Sequence, residues 1–245
     1  GAAGDMLLGA LIDLGVPVSV IGDALDAVGA GRQRLQVSRI TKGGIAASNV
    51  TVDTSGHVFE QHAHTHTHKR AATENSFVAI KLRAGTQEHH IHVDETGDKT
   101  TLIDNGPRHA HEHSHAHTHY ADIRKRIEAA KLTDGARRRA LDIFDRLARA
   151  EAKLHGSTVE TVAFHEVGAI DSIVDVVGTA AALDWLSPAS VTCAEVAMGH
   201  GTLRCAHGVL PVPAPAALEV LRDAGGVMGD GGLPRELCTP TGAAI

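Results

Sequence analysis

Aromatic side chains are nearly missing from this chain, which has four phenylalanines, one tyrosine and one tryptophan in 245 residues. Proteins that grip single-stranded nucleic acid stack bases on aromatic faces, so this scarcity argues against that class. The core has to be built from Ala, Val, Leu and Ile instead. Excess positive charge is missing too. The formal net charge is -6 with the histidines neutral, so no general polyanion-binding surface and no nucleic-acid partner are expected. No apolar run reaches membrane-spanning length and no leader pattern is expected, so no membrane partner is expected either. The three cysteines, Cys193, Cys205 and Cys238, are odd in number and form no CxxC pair. Reduced thiols and a cytoplasmic location follow. The chain opens at Gly1 without methionine and stops at Ile245 inside an expected helix start, so both ends are expected to be truncated.

Histidine is what the chain has in excess. Of its 18 histidines, 14 lie between His57 and His119. They form HAHTHTH (62–68), HHIH (89–92) and HAHEHSHAHTH (109–119). In an extended segment alternate side chains point the same way, so His62, His64, His66 and His68 line one edge. His111, His113, His115, His117 and His119 repeat the pattern. Imidazole suits nickel, zinc, copper and iron, and a flexible tract can bend several nitrogens onto one ion. A solvated linker with incidental affinity is the plain alternative.

The flanks read as an ordered domain of mixed α/β class, with helices packed on a small sheet and a disordered His-rich insert between them. Residues 1–54 form its first part, 55–119 the insert, and 120–245 the remainder. Helices are expected over 4–15 and 18–28. LQVSRITKGGIAASNVTVD predicts two strands around Gly43-Gly44. A short strand is expected at 77–82 within the insert. Two helices with arginine-rich outer faces follow from Tyr120, and Ser157 to Glu160 fits a capping box. Strands are expected at 191–198 and around 202–206, then a helix led in by prolines, a glycine-rich loop at 225–232, and a helix entered at Thr239-Pro240.

The chemistry concentrates in FHEVGAIDSIVDVVG (164–178). From Ala169 to Asp184 this is a buried-helix composition with charges only at Asp171, Asp175 and Asp184. Asp171 and Asp175 stand one helical turn apart and project from one face. Like charges at that spacing repel and lose hydration in an apolar layer, so a cation should oppose them. A divalent ion held by Glu166, Asp171 and Asp175 satisfies this, with His165 as a further ligand or proton acceptor. Pairing with arginines of the 137–149 helix satisfies it too, and Asp171 in a first turn suits the helix dipole. Position 169 is alanine, so the segment is not a zincin HExxH site. Gly178, on the same stripe, leaves room for close approach. Gly4-Asp5 ends a small-residue loop that feeds a helix, where amides could hold an anion and Asp5 a metal. Thr239 and Thr241 suit either phosphate binding or simple capping. His200 and His207 sit in glycine-flanked turns, and Cys205 with His207 could share a soft metal.

GAAGDMLLGALIDLG (1–15), FHEVGAIDSIVDVVG (164–178) and HGVLPVPAPA with ELCTPTGAAI (207–216, 236–245) together resemble the LarC family of nickel insertion proteins. The resemblance implies insertion of nickel into pyridinium-3,5-bisthiocarboxylic acid mononucleotide. The product is the nickel-pincer cofactor of lactate racemase and related enzymes, with the metal bound through sulfur and carbon. It also implies CTP and a divalent ion, manganese or magnesium, with the nucleotide associated with a C-terminal region outside these residues. It makes the protein an enzyme of the metal-inserting lyase class, with a mononucleotide substrate. The apo-enzyme that receives the cofactor is admitted as a partner, and so is self-assembly into a homo-oligomer. No residue-level mechanism follows from the resemblance, and the roles come from chemistry: His165 or Glu166 is expected to take the displaced ring proton. Glu166, Asp171, Asp175 and Asp5 hold metal, while Gly4, His207, Thr239 and Thr241 hold substrate and phosphate. Two rivals remain: a non-catalytic nickel or zinc store or metallochaperone acting through the insert, and a two-metal phosphohydrolase.

Overall fold

A computed structural model of the chain describes residues 2–55, 92–93, 99–100, 118–164, 170–205 and 207–245. The chain divides into a unit of residues 1–61 and 116–245 and a second unit of residues 62–115. In the second, β3 (His92–Val93) pairs antiparallel with β4 (Lys99–Thr100). The strand expected at 77–82, and with it the disorder expected of the insert, lies outside the described residues.

The first unit opens with α1 (Gly4–Asp13) and α2 (Val18–Ala27), separated by Gly15 at φ 101° and Pro17. The hairpin of β1 (Leu35–Lys42) and β2 (Ile45–Val52) turns at Gly43-Gly44, both with positive φ, as the sequence predicts. β5 (Thr118–His119) then pairs with β6 (Ala163–Phe164) and brackets α3 (Tyr120–Ala129) and α4 (Asp134–His155). α5 (Ile170–Leu186) is followed by β7 (Glu195–Ala197), β8 (Gly201–Cys205), β9 (Gly208–Val212), α6 (Pro215–Asp223), β10 (Val227–Gly229) and α7 (Pro240–Ala244). The class is mixed α/β: helices around small two-stranded sheets, β1 with β2, β8 with β9, and β7 parallel to β10.

α5 is the axis of the core. Its buried Ile173, Val174, Val176, Val177, Ala180 and Ala182 meet α1, α2 and α4. On the α5 side this layer is filled by small and branched side chains, so the helices approach closely and few polar atoms can be tolerated between them. Gly178 shows the consequence. A Cβ there would lie 3.0 Å from both Ile21 and Leu8 side chains. The close approach foreseen at Gly178 is helix packing, and no ligand is needed to explain it.

Several local expectations need correction. Ser157 to Glu160 do not cap a helix. Thr158 and Thr161 hydroxyls bond to each other at 3.1 Å, and the chain continues through a turn into β6. The strand expected over 191–198 is only three residues long. The glycine-rich loop contains β10, and β9 begins where only a turn was expected.

The N-terminal and C-terminal motifs are joined by backbone. Ala2 bridges to Cys238 in parallel, its amide donates to Leu237 at 2.7 Å, and its carbonyl accepts from Thr239 at 3.1 Å. Gly242 makes this contact possible, because a Cβ there would fall 1.9 Å from the Ala2 carbonyl oxygen. Backbone cannot move aside as a side-chain tip can. Gly242→Ala is expected to cost about 3 kcal/mol and to lower the melting temperature by roughly 6–12 °C. A calorimetric shift under 2 °C would show that α7 is not held by this contact.

Candidate functional site

One cavity of about 790 Å³ opens in the first unit, a size in the range of small-molecule sites. The start of α1 (Ala3, Gly4, Asp5), the first two turns of α5 (Asp171, Ser172, Asp175) and Glu236 with Thr239 to Thr241 line part of it. β2, the end of α4 and the β8–β9 hairpin with His207 form the rest.

Asp175 is the chemical centre. α1 begins at Ala3, which has no side chain able to cap it. The Asp5 amide donates instead to the Asp175 carboxylate, a cap supplied from another helix. Gly4 permits the approach: a Cβ there would lie 2.3 Å from Asp175 Oδ2. The other carboxylate oxygen, Oδ1, is buried and has no hydrogen-bond partner among the described residues. Burial, with the Asp5 and Asp171 charges adding to it, pushes this carboxyl up to about 7. Among the described residues no cation counters it.

Asp5 and Asp171 share a simpler arrangement. Each is exposed, lies in the first turn of its helix, and accepts the next residue's amide at 2.8 Å. The paired acids of the sequence therefore differ in kind. Asp171 is solvated at the rim, whereas Asp175 is half-buried at the wall. Asp184, the third acid of α5, accepts the Thr133 hydroxyl at 2.6 Å beside the start of α4, so it is structural. The arginine alternative does not hold. Arg137, Arg146 and Arg149 pair within α4 with Asp134, Asp142 and Asp145.

Also in the cavity lining, the buried Glu151 contacts His155 Nε2 at 3.3 Å, one turn along α4. The His155 and His207 rings lie 5.1 Å apart between centroids. Cys205 lines the same wall. Thr239 caps α7 by accepting the Gly242 amide at 3.1 Å, and Thr241 is buried at the cavity edge. His200 is bonded to Asp230 at 2.8 Å. Among the described residues, no three His, Cys, Asp or Glu side chains converge closely enough to hold an ion by themselves.

The model of the family described as nickel insertion protein matches residues 1–245. The chain belongs to the nickel insertion protein family. It is 39% identical over 245 residues to a pyridinium-3,5-bisthiocarboxylic acid mononucleotide nickel insertion protein of Geobacillus kaustophilus, covering all of this chain and 48% of the relative. A protein of the same description from a Nocardioides species is 36% identical over 245 residues, again across this whole chain and 47% of the relative. The chain thus spans about half the length of these curated relatives. No solved structure matches.

For this member of the family, sequence reasoning assembled Gly4, Asp5, Asp171, Asp175, His207, Thr239 and Thr241, and all seven line one cavity. His165 and Glu166, directly before α5 in the chain, lie outside the described residues. So do His62, His64, His66, His68, His111, His113, His115 and His117. His119 belongs to β5, paired with Ala163. No helix among the described residues is long and apolar enough to cross a membrane. None of the three cysteines is in a disulfide. Sequence reasoning missed Glu151 and His155. Their one-turn spacing near a helix end was a signal, but it reads equally as a surface ion pair.

Proposed function

We propose that this cavity is where nickel enters pyridinium-3,5-bisthiocarboxylic acid mononucleotide to form a nickel-pincer cofactor. One observation carries the reading: among the described residues a buried carboxylate oxygen of Asp175 has no partner and no cation opposes it, while the Asp5 and Asp171 carboxylates line the same cavity. A carboxylate so placed loses its proton when a dication arrives, so metal entry and deprotonation are coupled. Asp5 and Asp171 add negative potential at the rim.

The two thiocarboxylates of the substrate would bind Ni²⁺ through sulfur, completing a coordination shell that the protein leaves incomplete. The ring C–H bond between them then breaks. Its electron pair forms the nickel–carbon bond, and its proton passes to His165 or Glu166, the bases nearest α5 in the chain. Thr241 and the amides around Gly4 would hold the mononucleotide's phosphate. Thr239 already serves α7, so its hydroxyl would contribute less.

The CTP and the manganese or magnesium ion implied by the resemblance do not fit this cavity as a resident set. Among the described residues no three ligating side chains converge on one ion. We place that requirement with the full-length protein and route no step through it. The histidine tracts would raise the local nickel concentration. A cytoplasmic location suits an intracellular cofactor, and the acceptor of the product would be the apo-enzyme that uses it.

Mass spectrometry of full-length protein incubated with nickel, CTP and the dithiolated mononucleotide tests the reading. The expected product is heavier by one nickel less the displaced protons. Substrate recovered unchanged, at nickel concentrations that saturate the protein, would contradict it.

A further inference from the structure

We propose that His155 and His207 form a two-imidazole docking pair that receives nickel in the cavity that Asp175 also lines and presents it to the substrate. The proposal rests on the insertion reading above and adds a nickel site to it. Three observations support it. First, the two rings come from different elements, the last turn of α4 and the turn between β8 and β9, yet both line the same cavity. Second, their separation suits a shared ion. A metal about 2.1 Å from one nitrogen of each ring lies about 3.2 Å from each ring centre, so two rings at 90–110° around it have centres about 4.6–5.3 Å apart. The rings here stand 5.1 Å apart. Third, His155 carries the accessory partner that metal-binding imidazoles use. Glu151, only 9% exposed, meets its Nε2 at 3.3 Å. A carboxylate there fixes the ring's orientation and raises its basicity.

The chemistry fits a cargo that has to leave. Imidazole is a good ligand for nickel, and Cys205 on the same wall is a softer donor nearby. Two protein donors are fewer than the three or four of a closed site, so the remaining positions stay with water or substrate. Sulfur from the thiocarboxylates can then replace water before either imidazole lets go. A closed site would hold nickel against transfer, and a single imidazole would not orient it.

The test uses wild-type, full-length protein with its histidine tracts in place. Histidines are modified with diethylpyrocarbonate with and without nickel, and the rate at each is read from its peptide by mass spectrometry. Nickel is expected to slow modification of His155 and His207 together, by roughly tenfold, and to leave His200 unchanged. Glu151→Gln should raise the nickel concentration needed for that protection by about tenfold or more. Equal rates at His155 and His207 with and without nickel, in protein that inserts nickel normally, would overturn the pair and leave it as a tie between α4 and the hairpin. If nickel shields both rings but no nickel-bearing mononucleotide forms, the docking pair stands and the insertion reading fails.

Discussion

Replacing Asp175 by asparagine is expected to stabilise the metal-free protein at pH 8 while abolishing nickel insertion. The two effects share one origin. The folded carboxyl titrates near 7, above its ordinary 3.8, because burial and the neighbouring acids disfavour the charge. A carboxyl raised in this way supports folding fully below the unfolded value. That support is lost as pH rises through the folded value, because the native state has to give up a proton it holds more tightly than the unfolded chain does. Above pH 7 the native protein carries the whole penalty. At 1.36 kcal/mol per pKa unit its upper bound is about 4 kcal/mol, and contact with water in the cavity reduces it to about 2 kcal/mol. Asparagine keeps the shape without the charge. Its melting-temperature advantage should be near zero at pH 4, grow between pH 4 and 7, and reach roughly 4–8 °C at pH 8. Insertion should fall by roughly a hundredfold or more, since a carboxylate facing a dication at partial burial contributes several kcal/mol. Nickel should stabilise the wild type more at pH 8 than at pH 6, and at pH 8 it should stabilise the variant less than the wild type. An Asp175→Asn protein that is less stable at pH 8, or that inserts nickel at the normal rate, would contradict the assignment.

Gly4→Ala is expected to produce the same loss of insertion with the opposite effect on stability. A methyl group at Gly4 would lie 2.3 Å from Asp175 Oδ2 and 2.5 Å from its Cβ and Cγ. Either the carboxylate is driven from its position or α1 separates from α5. The Asp5 amide then loses the carboxylate that caps it, and α1 has no side-chain cap of its own. Overpacking of this kind costs about 1–3 kcal/mol, to which the lost cap adds about 1 kcal/mol. The melting temperature should drop at every pH. Circular dichroism checks that the fold survives, and nickel titration under those conditions reads the site. If Gly4→Ala binds and inserts nickel normally, Asp175 does not need its present position.

Much of this was legible in the sequence. Apolar periodicity located α1, α2, α4 and α5, and Gly43-Gly44 located the hairpin. The acids of α5 were visible as an electrostatic conflict. How differently the three are placed was not visible, because Asp171, Asp175 and Asp184 sit in equally apolar surroundings along the chain. Their fates are set by tertiary neighbours: solvent for Asp171, the α1 start for Asp175, and Thr133 for Asp184. Gly4 and Gly242 read as loop and cap residues, yet each is required by something distant, a carboxylate or the Ala2 carbonyl. β9 and β10 were missed for a different reason: both are short and lie in glycine- and proline-rich sequence, β9 folding straight back on β8 and β10 pairing with the distant β7. His155 was hidden inside an arginine-rich helix, where a last-turn histidine looks like a partner for the helix dipole.

Anomalous scattering at the nickel absorption edge, from crystals of the full-length protein grown with nickel and the dithiolated mononucleotide, tests the central claim most directly. The account predicts a nickel peak inside the cavity, between the Asp175 wall and the pair of His155 and His207. A protein that turns over its substrate while its nickel peaks lie only along the histidine tracts, with Asp175 facing an ordered water or a cation of the protein's own, would contradict it.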